Sequence, residues 1–253
     1  MPDLGPLDWA LLVTAAVMVG IAKTAVTGTG AVAAALFALA LPARESTGTL
    51  LPLLLVGDVV AITLYRQHTS WPVIRRLFPW VAGGVVVGAF FVAQVGDGGM
   101  RRAIGLLLLA MVTVQLASRG RLRGRLSDPG AAVVGRSHRV AAAVAGVAAG
   151  FTTMVANSAG SVMTVYLLLS GMAMLQFIGT SAWFFLLVNL LKLPFSIGLG
   201  LVAPGALLLD LALLPALAVG VGAGVLLVRR IDQQQFERAA VGLLVVSVVP
   251  LLL

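Results

Sequence analysis

Cysteine is absent from this 253-residue chain, and histidine occurs only twice, at His68 and His138. Without thiols there is no disulfide framework, no thiolate metal site and no cysteine nucleophile. Both histidines fall between apolar stretches, and no His or Cys cluster has metal-ligand spacing. Charge is scarce as well. Only 10% of residues are charged, against about 25% in a soluble domain, which is too few to solvate a water-facing surface. Lysine is limited to Lys23 and Lys192.

What fills the chain instead is apolar: 60% of residues are hydrophobic and the mean hydropathy is +1.08. A lipid bilayer solvates such a surface. The net charge of +8 is not a nucleic-acid footprint, because the basic residues form no stripe on a polar face. They cluster between apolar stretches, at Arg66, Arg75 and Arg76, at Arg119 to Arg139, and at Arg229 and Arg230, as cytoplasmic loops do. The first apolar stretch lacks a basic n-region, since Asp3 and Asp8 are acidic. It therefore reads as a membrane segment rather than a signal peptide.

A membrane helix needs about 20 apolar residues. Apolar segments are expected at 7–27, 29–42, 46–66, 72–95 and 100–118, then at 138–156, 158–171, 174–200, 205–228 and 236–253. Segments 29–42 and 158–171 are too short, reaching about 21 Å as helices against a hydrocarbon core of about 30 Å. Each follows a break of small residues, Thr27-Gly28-Thr29-Gly30 and Asn157-Ser158-Ala159-Gly160. Paired short or interrupted segments point to a transporter binding site. The Arg-rich stretch 119–137, with Gly120, Gly124, Pro129 and Gly130, is the expected linker between residues 1–118 and 138–253.

The two halves match. Gly20 to Gly30 aligns with Gly150 to Gly160, Gly48-Thr49 with Gly179-Thr180, Asp58 with Asn189, Pro72 with Pro204, and Arg101 and Gly105 with Arg238 and Gly242. Units of five segments must alternate in direction, so consecutive copies are inverted across the membrane. The expected fold is an all-α integral membrane protein of about ten transmembrane segments, a 5+5 inverted repeat with two short, broken helices. A cytoplasmic linker puts the 66–71 and 229–235 loops on the same side and both termini outside; Arg101 and Arg102 run against this trend.

The duplicated breaks, GTGAVAAALFALALP and NSAGSVMTVYLLLSG, and the Gly48-Thr49 and Gly179-Thr180 pairs resemble the TauE/SafE family of sulfite exporters and anion permeases, along nearly the whole chain. The resemblance implies export of sulfite or organosulfonates such as sulfoacetate across a bacterial inner membrane. The first copy reads Thr-Gly-Thr-Gly, which departs from the family's richer glycine pattern.

A small oxyanion needs donors to replace its hydration shell. A helix N-terminus supplies free N–H groups and a positive dipole end, and glycine lets backbone approach closely. Thr27, Gly28, Thr29 and Gly30 and Asn157, Ser158, Ala159 and Gly160 are therefore candidate substrate-binding residues, with Thr49, Thr180 and Ser181 completing the shell. The competing reading is close helix packing or interhelical hydrogen bonding by small residues. Lys23 and Lys192 lie inside apolar segments, where a charge is costly and functional or snorkels to an interface. Pro194 closely follows Lys192 and can expose backbone carbonyls. Asp58 can pair with a lysine, carry a coupling proton or bind a cation; a structural ion pair or an interfacial contact is the plainer alternative. Asn189 is its equivalent in the second copy. Asp210 is expected at the interface, and Trp183 is expected to serve as an anchor or to wall a site. No catalytic constellation, metal site or cofactor is expected. The partners are a small anion and the bilayer. A passive anion channel, or a carrier of another small anion such as a carboxylate, is the alternative.

Overall fold

The computed structural model describes residues 4–25, 29–126, 136–202, 205–231 and 235. Among these, all regular structure is helical: α1 (Pro6–Thr24), α2 (Thr29–Ala40), α3 (Ala43–Tyr65), a 3-10 turn (Arg66–His68), α4 (Trp71–Gln94), α5 (Asp97–Leu126), α6 (Arg136–Ala156), α7 (Ala159–Leu169), α8 (Met174–Gly198) and α9 (Ala206–Arg230). The expected tenth segment, 236–253, lies outside the described residues.

Among the described residues, five helices are long and apolar enough to cross a membrane: Pro6–Thr24, Ala43–His68, Trp71–Gln94, Met174–Gly198 and Ala206–Arg230. Large apolar side chains such as Phe90, Leu211 and Val219 stay exposed, as on a protein whose outer face meets lipid. The two short segments are the helices α2 and α7, of 12 and 11 residues, which reach only about 17 Å each.

Local chemistry sets the helix ends. Pro6 opens α1, where its missing N–H is no loss, and the Asp8 carboxylate accepts the Gly5 N–H at 2.9 Å. At the end of α4 the Arg44 guanidinium donates to the carbonyls of Val92 (2.6 Å) and Val95, while the Arg44 N–H donates to Asp97 Oδ1 at 3.0 Å. A cation on the last carbonyls also complements the helix dipole, and this clamp ties the start of α3 to the α4–α5 turn.

The structure departs from the sequence reading at the linker. Helix α5 continues to Leu126, so the first residues of the expected 119–137 linker are helical. At 30 residues, or about 45 Å, α5 outlasts the hydrocarbon core. Asp210 is buried on the face of α9 that carries Leu209 and Leu213, with no hydrogen-bond partner for either carboxylate oxygen among the described residues. Helix α8 runs through Pro194 as one helix.

Packing follows a pattern of exchange between the halves. Helix α1 lies along α9, and α4 lies along α6. Glycines make both contacts. A methyl group at Gly20 would collide with the backbone of Leu217 and Gly220, and one at Gly220 with Val17. Likewise, a methyl at Gly84 would strike Val147 and one at Gly150 would strike Val81. Residue numbers rise together along each contact, so both pairs are parallel. In contrast, α3 and α8 are antiparallel: Gly48, early in α3, abuts Leu201 after α8, and Gly179, early in α8, abuts Tyr65 and His68 after α3. The sequence carries a signal for this pairing. Pro79, Gly84 and Gly88 in α4 recur with the same spacing as Pro215, Gly220 and Gly224 in α9.

Candidate functional site

Helix α6 ends where Asn157 enters the left-handed region at φ 50°, which asparagine tolerates better than most residues. The chain turns there: the Asn157 N–H donates to Thr153 O at 3.1 Å, the Ser158 N–H to Thr152 O at 3.3 Å, and α7 starts at Ala159. The first copy has the matching break, with α1 ending at Thr24 and α2 beginning at Thr29. Its Val26, Thr27 and Gly28 lie outside the described residues, so the expectations for Thr27 and Gly28 do too.

Between the two breaks is a cavity of about 30 Å³, room for about two waters. Its wall draws matched positions from both halves: Lys23 and Thr153, Gly30 and Gly160, Leu54 and Phe185. Asn157 and Asn189 complete its polar lining.

Behind the wall lies a network of charge that joins the halves. The Lys23 ammonium forms an ion pair with Asp58, 2.6 Å from its Oδ1, and sits 4.7 Å from the centre of the Phe185 ring. Asn189 Nδ2 donates to Asp58 Oδ2 at 2.6 Å. Lys192 donates to Thr153 O at 3.0 Å and to Asn157 Oδ1. Asn157 Nδ2 in turn donates to Thr47 O at 2.9 Å on α3. Exposure is 8% for Lys23, 0% for Asp58, 2% for Asn189 and 1% for Lys192. Charges this deep persist only when paired or hydrogen-bonded, and each is. Lys192 also stands where a cation suits the carbonyl end of α6.

The other candidates fall at different places. Gly30, Asn157 and Gly160 reach the cavity, with Lys23 and Asn189 beside them; Asp58 and Lys192 stand one contact behind. The Thr29 hydroxyl donates to Met18 O on α1 at 3.1 Å. Ala159 and Ser158 are buried at the α7 start, the Ser158 hydroxyl without a partner among the described residues. Thr49, Thr180 and Ser181 do not line the cavity. Thr180 Oγ1 accepts the Ser70 N–H at 2.9 Å, and so holds the α3–α4 turn; the Ser181 hydroxyl is buried without a partner among the described residues. Trp183 meets Trp71 in a tilted ring contact, centres 5.1 Å apart. Thr153 and Phe185 were not singled out from sequence. Their alignment with Lys23 and Leu54 was the available signal.

Long apolar helices, with two short ones between them, define a polytopic membrane protein. The chain belongs to the sulfite exporter TauE/SafE family, whose model matches residues 12–251. No curated protein and no solved structure matches the chain.

Proposed function

We propose that the protein is a secondary transporter that exports a small sulfur-containing anion, sulfite or an organosulfonate such as sulfoacetate, across a bacterial inner membrane. The anion binds in the cavity between the breaks before α2 and α7 and crosses by alternating access. The carrying observation is that both breaks open onto one cavity, with Gly30, Asn157, Gly160 and Lys23 in its wall. Helix N-termini and an ammonium are what an oxyanion needs in place of water. The cavity's small volume favours sulfite-sized anions over bulkier sulfonates. The family's description supplies the sulfite.

In this reading the chain has ten segments in a 5+5 inverted repeat, 1–118 and 138–253, joined by a cytoplasmic linker at 119–137, with both termini outside. The exchange of helices supports it. An inverted repeat makes α1 with α9 equivalent to α6 with α4, and α3 with α8 equivalent to itself reversed. The parallel glycine contacts and the antiparallel α3–α8 pair have these senses. Thr29, Ser158, Ala159, Thr49, Thr180 and Ser181, none of them in the cavity wall, belong to this site as the frame of the breaks, together with Thr27 and Gly28.

Proteoliposomes loaded with labelled sulfite provide the test. Saturable efflux, slowed by unlabelled methanesulfonate, is the expected result. No efflux of sulfite or sulfonates sinks the substrate assignment, and currents at single-channel rates replace the carrier with a channel.

A further inference from the structure

The charges around the cavity do not cancel. Lys23 is in the wall, Lys192 is bonded to the wall residues Thr153 and Asn157, and Asp58 is bonded to Lys23 and Asn189. With both lysines protonated, that makes two cations and one carboxylate. Helix α2 carries no titratable side chain, and those of α6 are confined to Arg136, His138 and Arg139 in its first turn. The charged groups acting on Asp58 are Lys23 from α1 and Lys192 from α8. Among the described residues, Asp97, Arg101 and Arg102 of α5, Asp210, Arg229 and Arg230 of α9, Arg66 and His68, and Arg44 and Glu45 on α3 itself, are not among them.

We propose that the cavity is balanced for one negative charge: it takes a monoanion, hydrogensulfite or a monosulfonate, as it stands, and a dianion only together with a proton on Asp58. This rests on the reading of the cavity as the anion site. A monoanion cancels the excess positive charge. A dianion leaves one negative charge uncompensated in a buried site, which is strongly disfavoured. Adding a proton from water to an Asp58 carboxylate oxygen removes that excess, and Lys23 and Lys192 then face the two negative charges. Asp58 is the carboxylate placed to do this, since Asp210 has no contact with the cluster among the described residues. The net charge carried per turnover is therefore the same for both kinds of anion.

Methanesulfonate and sulfate separate the cases, being nearly the same size with one charge and two. The full chain in lipid nanodiscs is titrated with each from about pH 6 to about pH 8, in buffers of different ionisation enthalpy. Methanesulfonate affinity is expected to stay level with no proton uptake. Sulfate is expected to bind with uptake of about one proton and to weaken about tenfold per pH unit. Asp58→Asn should bind sulfate without proton uptake or pH dependence. The double variant Lys23→Gln/Asp58→Asn keeps the single excess positive charge and avoids an unpaired buried ion. It should bind methanesulfonate, and take sulfate weakly with no proton.

Sulfate binding to the unaltered chain without a proton overturns the proposal, as does proton uptake that persists in either variant or sulfate that fails to bind even at about pH 6. Methanesulfonate that fails at every pH overturns the anion site itself, which separates that failure from this one.

Discussion

The two helix breaks are flanked alike and differ in chemistry. Each follows a helix whose glycine, Gly20 or Gly150, crosses a partner helix closely, and each leads into a short helix. Yet Lys23 in the first stands where Thr153 does in the second, and Asp58 where Asn189 does. The first break thus holds an ion pair, while the second lends carbonyl and amide groups to a lysine, Lys192, from a different helix. The small residues that let helices meet recur in both halves. The charges do not, and the cavity wall pairs matched positions that differ in charge, Lys23 with Thr153.

The sharpest way to break this comparison is at the matched positions 23 and 153. Lys23→Met leaves Asp58 buried without its cation and should cost about 3–5 kcal/mol of stability. Thr153→Val keeps the carbonyl that Lys192 uses and should cost under about 1 kcal/mol. Denaturant titration of the purified variants reads both, and equal losses would refute the division between the breaks.

The shared frame is tested next. Gly84→Ala and Gly220→Ala each push a methyl into backbone, an overpacking worth about 1–3 kcal/mol. If the repeats are equivalent, the two losses should agree within about 0.5 kcal/mol in the same titration. A loss at only one site breaks the equivalence.

A smaller effect sharpens the role of Asn157. Asn157→Gly retains the left-handed turn but removes the amide's bonds to Thr47 and Lys192, and should cost about 1–2 kcal/mol. Asn157→Leu adds about 1–2 kcal/mol of strain at φ 50°. Thermal melting of the pair separates amide from backbone. Identical melting would mean that the turn does not need asparagine.

Much of this was legible in the sequence because it depends on local residue type. Apolar runs gave the helices, and the small-residue breaks at 27–30 and 157–160 gave the short ones, since 12 and 11 residues cannot hide their length. The Asp58–Asn189 alignment brought together two residues that turn out to share a hydrogen bond. What escaped depends on three-dimensional neighbours. Nothing local says that Lys192 reaches across to Thr153 and Asn157, or that Thr180 serves a turn rather than the cavity. The burial of Asp210 likewise depends on which face of α9 meets α1 and α3. The Pro-Gly-Gly pattern shared by α4 and α9 is present in the sequence, at a spacing of 136 residues that differs from the 130 of the breaks.

The central claim is that the anion passes through the cavity between the breaks, and Gly30 offers the most direct test. Among the described residues, a first side-chain carbon there meets Ala22 Cβ alone, at 3.7 Å, an ordinary contact, so Gly30→Val adds volume at the cavity wall. Gly105, with nothing within 4 Å, serves as the control site for Gly105→Val. In counterflow of labelled sulfite into proteoliposomes, Gly30→Val should lose at least about 90% of the wild-type rate, with its melting temperature unchanged within about 3 °C. Gly105→Val should transport normally. Full counterflow by a folded Gly30→Val protein would contradict the account.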